Sequence, residues 1–522
     1  MTAFIDARSD DIPETLEGSV CIIGAGAAGI TLARKLAETM PGVLLIESGG
    51  FDIDGQTQGL FNGQQLGIRY YNLVSCRLRY FGGTTNHWSG FCRANDPVDY
   101  EGRPEVGLPK WPINGGDLAP YIAEAGESLA VSAEHFEPKE LISERGGNAE
   151  NLAEDYSEML LTKAFQFSTR RRLGPLYKDE IAASPNVQGV LNLNLTHIQL
   201  NPEGNRVDHL VCKTLDGKVV RVTAKAYTLC CHAIENARQL LNSNDVMPTG
   251  VGNAHDHVGR YFMDHTHIFA SKFIPTKAFP KVYDRKYSDD KGMNVNLSFT
   301  DSFTRDNKLL QYYCRFNPVY ASEEAIAALD AVRLDRGKPG SLDYLRDVAT
   351  VAGEVMGLGR YYMTQKEFAY PQPEYYEMEH RLEQMPNPDS RVVISDRKDA
   401  LDTYIADLDW RLMDDDIRSF REGQAIMSRE LAALGWGRVE EEEITRELVE
   451  SRVAGHYHQI GTTRMSVAPE DGVVDADCKV HGIDNLYIGG SSVFPTAGYS
   501  GPTMMLIALA MRMSDHLKER FA

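Results

Sequence analysis

Two glycine turns, one near each end of the chain, constrain this sequence more than any other feature. At the front, VCIIGAGAAGITLARKL (20–36) reads as a short buried strand, a tight turn and a helix, and LLIE (44–47) follows as a second strand. At the back, HYHQIGTTRM (456–465), NLYIGGSSVFPT (485–496) and SGPTMMLIALAMRMSDHL (500–517) read as a histidine-bearing strand, a second glycine turn and a closing helix. The two ends make sense only as parts of one unit.

The front motif predicts a nucleotide site through geometry. Gly24 permits the turn out of the strand, Gly26 lets backbone approach a pyrophosphate over Ala27 and Ala28, and Gly29 lets the helix pack on the sheet, so the helix N-terminus faces the phosphates. Glu47 ends the next strand, where a carboxylate accepts ribose hydroxyls. A purely structural glycine turn is the competing reading, and the fingerprint does not say which dinucleotide binds. FGGTTNHWSG (81–90) adds a loop suited to placing backbone amides around a pyrophosphate and a planar ring. A plain surface loop is the alternative, which suits His87 and Trp88 between glycines poorly.

Composition narrows the class. With 522 residues, 43% of them hydrophobic, the chain can bury the core of two intimately joined domains. A net charge of −20 argues against nucleic acid as a partner and leans mildly to neutral or cationic substrates. MTAFIDARSDDIPETLEG lacks a basic-then-apolar leader and a twin arginine, so a cytoplasmic location is expected, and MMLIALAM is too short to span a bilayer. The eight cysteines form no CxxC or CxxCH, which removes zinc ribbons, iron–sulfur ligation and covalent haem; adjacent Cys230 and Cys231 are not spaced as a redox dithiol. His255-x-His257 and His265-x-His267 are expected as pairs on a strand face, but no third ligand stands at motif spacing, so no metal is expected. Residues 323–334 and 341–358 carry helical spacing and read equally as a lid or as packing helices.

Taken together, CIIGAGAAG, FGGTTNHWSG, LCCHAIENARQLL (229–241), HDHVGRYFMDH (255–265), EQMPNPDSRVVIS (383–395) and the C-terminal blocks resemble the glucose-methanol-choline (GMC) oxidoreductases from about Val20 to about Leu517. PNPDSRV, GTTRM and the His-Trp after the double glycine look nearest to the bacterial sugar and glycoside oxidases and dehydrogenases and the pyranose oxidases. The resemblance implies an α/β fold: a Rossmann-like FAD-binding domain (15–95, 185–265 and 450–522) interleaved with a substrate domain of antiparallel sheet and helices (96–184 and 266–449). It implies FAD as cofactor, held by Gly24, Gly26, Ala27, Ala28, Gly29, Glu47, Ser48, Arg79, Gly82, Gly83, Thr84, Asn86, His87, Trp88, Ser89, Leu195, His232, Ala233, Gly490, Ser491, Gly501, Pro502 and Thr503. His87 aligns with a histidine that pyranose oxidases link covalently to FAD; reversible binding is the other option.

The chemistry implied is oxidation of an alcohol: a base takes the hydroxyl proton while hydride passes to flavin N5, and a neutral imidazole suits the task. His458 matches the family's catalytic histidine. The family's second His or Asn falls at Gly501, which has no side chain; His456, expected on the same strand face, and Tyr499 are the nearest substitutes. The start of the last helix at Pro502 can still aim a positive dipole end at the reduced ring. The expected enzyme is an FAD-dependent oxidoreductase of a carbohydrate, glycoside or related alcohol, reoxidised by oxygen or a quinone-type acceptor. The alternative is a non-redox member of the fold, a lyase or flavin photoenzyme. Whether it forms a homo-oligomer is left open.

Overall fold

Continuous apolar runs decide the centre of the molecule. Val20–Ile23 and Val43–Ile46 are buried throughout, the signature of parallel strands covered on both faces. The computed structural model describes residues 4–8, 12–132, 136–320 and 373–521; the candidate helices at 323–334 and 341–358 lie outside them.

The first sheet holds β1 (Phe4–Asp6), β2 (Thr15–Ile23), β3 (Val43–Ile46), β6 (Val187–Leu191), β7 (Asn194–Leu200), β8 (Val207–Lys213), β9 (Val219–Leu229) and β17 (Leu486–Ile488). Its parallel part runs β1-β6-β3-β2-β9-β17, with Ile23 beside Ile46 on one side and Leu229 on the other. The order reverses between β2 and β9, and ligands of such sheets sit beyond the strand ends at that reversal. The early part of β9 also pairs antiparallel with β8, which pairs with β7. Helix α1 (Ala27–Ala37) leaves β2 and packs on α5 (Thr503–Phe521), which packs on α2 (Gly115–Leu129); α3 (Ala233–Asn242) follows β9.

The second sheet runs β16-β10-β13-β12-β11-β5-β4 and is antiparallel: β4 (Phe91–Cys92), β5 (Leu160–Phe167), β10 (Thr266–Pro275), β11 (Met293–Phe299), β12 (Tyr312–Val319), β13 (Tyr375–Leu382) and β16 (Gly437–Glu440). Helix α4 (Asp414–Ala433) covers one face; a Cβ on its Gly423 would stand 2.7 Å from the Tyr312 ring. Tyr313 and Arg315 therefore point to the opposite face, where the register sets them beside Arg381 and Glu379 of β13. Strands β14 (Arg391–Lys398) and β15 (Tyr404–Asp409) form a separate ribbon. The fold is thus α/β with an antiparallel second sheet, and no described helix is long and apolar enough to cross a membrane.

Two expected strands are not strands. The segment carrying His456 and His458 is a bent loop, because Tyr457 takes φ +61° and the Asp264 carboxylate gathers the amides of both histidines. His255 and His257 lie in turns, and His265 precedes β10, so neither pair shares a strand face; His257 is tied to the Glu470 carbonyl and the Tyr261 hydroxyl.

Candidate active site

A cavity of about 610 Å³ opens at the reversal between β2 and β9 and extends to the polar face of the second sheet. That volume lies in the range of small-molecule and cofactor sites. At its floor, Gly24 has φ +99°, and a Cβ there would stand 2.5 Å from the Cys230 carbonyl oxygen. A Cβ on Gly26 or Gly490 would meet nothing within 4 Å. Backbone at both positions is therefore bare to the cavity, and Gly26 caps α1 without a side-chain hydrogen bond. Gly83 brings the second glycine loop onto the first, its Cβ position 3.2 Å from the Gly26 Cα.

All but four of the expected cofactor residues line this cavity. The four that do not are Gly29, Gly82, Asn86 and Ala233, which shape the walls from behind. A Cβ on Gly29 would stand 1.9 Å from the Gly24 oxygen, and one on Gly82 would strike the Asn86 amide. Asn86 donates to the Phe81 carbonyl at 2.8 Å, and the Ala233 carbonyl accepts from Thr462 at 2.7 Å. Of those that do line it, exposed His87 has its Nε2 3.0 Å from the Tyr80 hydroxyl.

The nucleotide end balances two arginines against two carboxylates and leaves polar atoms without hydrogen-bond partners. Glu47 accepts from the Ala25 and Gly49 amides at 2.8 and 2.9 Å, and burial holds its carboxyl above the usual range. Arg79 donates through Nε to Ser48, while its buried Nη1 has no hydrogen-bond partner. Arg77, Arg79 and Arg238 surround Glu235, whose pKa falls to about 2 because their attraction overcomes its burial. His232, at φ +79°, leaves a buried Nδ1 unpaired, and burial lowers its pKa to about 3. Bare glycine backbone, unsatisfied helix amides and two nitrogens without a hydrogen-bond partner among the described residues, Arg79 Nη1 and His232 Nδ1, fit a dinucleotide with a pyrophosphate. Arg77 and Glu235 were missed in the sequence; the CRLR and HAIENAR segments held the signal.

The opposite wall carries the histidines. His265 Nε2 donates to the Ala497 carbonyl at 3.1 Å, since a carbonyl can only accept. Its Nδ1 therefore bears the lone pair and accepts from His458 Nδ1–H at 2.7 Å. This leaves the lone pair of His458 on Nε2, which has no protein partner among the described residues. A Cβ on Gly501 would stand 3.7 Å from that atom, across open cavity. Burial, reinforced by His265, His456 and Arg381, holds the His458 imidazole well below its ordinary pKa. Asp264 fixes the loop: Oδ1 accepts the His456 and His458 amides at 2.9 and 3.1 Å, and Oδ2 accepts from Tyr70 at 2.6 Å.

The two expected stand-ins for position 501 have other partners. His456 donates Nδ1–H to the His265 carbonyl at 2.9 Å, so its Nε2 carries a lone pair 3.8 Å from Glu379. Tyr499 donates its hydroxyl proton to Asp96 at 2.7 Å and accepts from Arg93, although the residue lines the cavity. Asp264, His265 and His458, and likewise His267, Glu379 and His456, bring ligating atoms within 4.8 Å of one another. In the first set these atoms are spent on the bonds just described. In the second, Arg381 grips the carboxylate at 2.5 Å, in opposition to a cation.

Beyond His456 the second sheet presents Arg315 and Arg381 to the cavity, with Tyr313 and Asn294 beside them. Arg381 donates to the Tyr313 hydroxyl at 3.1 Å and through Nε to Glu379 at 2.7 Å. Sequence reasoning missed these residues, because single arginines alternating in ordinary strands carry no motif.

Residues 386–510 match the family model described as GMC oxidoreductase. The chain is 22% identical to the fructose dehydrogenase large subunit of Gluconobacter japonicus, over 96% of this chain and 98% of that protein. It is 24% identical to a C-glycoside 3-oxidase of Microbacterium trichothecenolyticum, over 92% and 80% of the two chains. Among solved structures, a variant of the Aspergillus oryzae formate oxidase, studied for its effect on FAD modification, superposes with a TM-score of 0.57 at 16% identity, covering 98% of this chain and 99% of that one. A pyridoxine 4-oxidase superposes with a TM-score of 0.52 at 18% identity, covering 96% and 99%. Fold, the family match over residues 386–510 and the full-length relatives agree in making the chain similar to the GMC oxidoreductases.

Proposed function

We propose that this protein is an FAD-dependent oxidoreductase that converts a hydroxyl of a carbohydrate, glycoside or related alcohol to a carbonyl, with His458 as the base. The observation that carries the reading is the lone pair of His458 Nε2, bare to a cavity whose other end is a dinucleotide cradle. Relatives named for fructose dehydrogenation and glycoside oxidation support the substrate class. A formate oxidase of the same fold, described with FAD, supports the cofactor.

Bound FAD supplies an acceptor for the hydride lost by the alcohol carbon. The chain does the rest. Gly26, Gly490 and the α1 amides lie open to the phosphates, with Arg79 Nη1 as an additional donor. His265 holds His458 as the tautomer whose Nε2 can accept the substrate's hydroxyl proton. The start of α5 directs its positive end into the cavity at Pro502 and Thr503, where negative charge gathers after transfer. Oxygen or a quinone-type acceptor then removes the two electrons. A non-redox use of the fold finds no support in this site.

Anaerobic mixing of the FAD-loaded protein with a panel of sugars, glycosides and hydroxy acids tests the reading. Bleaching of the flavin by one or more of them is expected, and His458→Ala retains FAD while slowing it by about 10²–10⁴-fold. Unchanged bleaching in that variant removes His458 from the role.

A further inference from the structure

The far end of the cavity has a charge that the whole molecule does not share. The chain carries a net −20, yet among the described residues every charged side chain lining the cavity beyond His456 is an arginine: Arg285, Arg315 and Arg381. Arg315 is buried and Arg381 partly so, their side chains 4% and 14% exposed. Buried guanidinium groups are rare without close pairing. Here the pairing is partial. Glu379 spends Oε1 on both Arg381 Nε and Arg381 Nη2. Arg315 reaches the half-buried Asp289 carboxylate at 3.3 Å, stands opposite Glu379 in the register and, with the Asn294 amide oxygen turned to it, meets that oxygen through Nη2 and, at 2.9 Å, through Nε.

We propose that Arg315 and Arg381 recognise an anionic group on the substrate, so that the alcohol oxidised here carries a carboxylate or phosphate close to the reacting carbon. The inference rests on the proposed oxidation and names the substrate class within it. Planar guanidinium forks match such oxyanions through paired N–H bonds. The strand register holds both on one face, with the Tyr313 hydroxyl beside them as a further polar contact. The distance suits a small molecule: the Arg381-bound Glu379 lies 3.8 Å from His456 Nε2, and the rings of His456 and His458 are centred 5.8 Å apart. An anion held there puts a hydroxyl only a few bonds away over His458. Burial and the facing Arg381 already depress Arg315 to a pKa of about 9, and a bound anion relieves that repulsion.

The test uses redox-inert probes, so that it does not depend on catalysis. Calorimetry on the FAD-loaded protein compares cyclohexanecarboxylate, cyclohexyl phosphate and the neutral cyclohexanecarboxamide. At least one anion is expected to bind about tenfold or more tightly than the amide. Whichever anion gains more identifies the group. Arg315→Gln should abolish the preference and Arg315→Lys retain part of it, with melting temperature and flavin content showing that each variant is folded. His458→Ala should keep the preference while losing flavin reduction, so failure of the oxidation reading and failure of the anion site give different results. Equal binding of anions and amide by the wild type overturns the proposal, as does an undiminished preference in folded Arg315→Gln.

Discussion

The protons on two imidazoles follow from one carbonyl. Because Ala497 can only accept, His265 must donate from Nε2 and accept from His458, and His458 is set in the tautomer that leaves its lone pair on Nε2. Substituting His265 with Phe should therefore slow flavin reduction by about 10- to 100-fold without loss of FAD, the usual scale for a partner that orients a functional histidine. His265→Gln, which keeps an acceptor, should recover part of the rate; rapid-mixing kinetics decide it, and an unchanged rate in the Phe variant removes His265 from the mechanism. Position 501 gives a second prediction. A Cβ there makes ordinary contacts with His458, at 3.6 Å from Cε1, so Gly501→Ala should fold and load FAD. Gly501→Val should raise KM with little change in flavin content, since it fills substrate space; an unchanged KM with sugar substrates counts against this. His458 and the glycine turns were legible in the sequence, since motif spacing holds them. His265 was not, because its role depends on a carbonyl 232 residues away.

Among elements, the loop from His456 to His458 shows where periodicity misleads. Alternating His-Tyr-His suggests a strand, but Tyr457 adopts φ +61° and stacks on Tyr71 with ring centroids 4.0 Å apart. What replaces a strand partner is one side chain, Asp264, which accepts both histidine amides and the Tyr70 hydroxyl. Neighbouring Gly455 leaves room for it, as a Cβ there would stand 2.1 Å from Oδ2. Removing the carboxylate in Asp264→Ala strands three buried donors, at about 1–3 kcal/mol each. The variant should lose several degrees of thermal stability and most of its flavin-reduction rate together, because His458 loses the carboxylate that holds its amide. Asp264→Asn, which keeps an acceptor oxygen, should lose much less of both. Equal losses in the two variants would show that charge matters here more than hydrogen bonding. The parallel strands were readable, since burial on both faces leaves a continuous apolar run. The basic wall was not, because a residue's face in the second sheet is set by register with strands far away in sequence.

At the scale of the whole molecule, buried ionisable groups pull stability in opposite directions with pH. His232 and His456 have pKa values near 3, and His265, His267 and His380 near 4, all lowered chiefly by burial. Histidine depressed in the fold stabilises it above the unfolded pKa of about 6.5, and that stability is lost on acidification below it. Asp264, Asp416 and Asp99 are raised by burial to about 6, 7 and 8. A carboxyl raised in the fold stabilises it fully below its unfolded pKa of about 3.9, and this contribution is lost as pH climbs through the folded value. Near pH 5.5 the five unfolded histidines bind more protons than the three folded carboxyls, so stability rises with pH; near pH 7 the two nearly balance. The melting temperature should peak close to neutrality and fall more steeply on the acid side. His380, held by Tyr312 and the Ala270 carbonyl away from the cavity, isolates one contributor: His380→Gln should flatten the acid limb while leaving the pH profile of flavin reduction in place. A maximum below about pH 5.5 in scanning calorimetry would mean that the carboxyls, not the histidines, govern the fold.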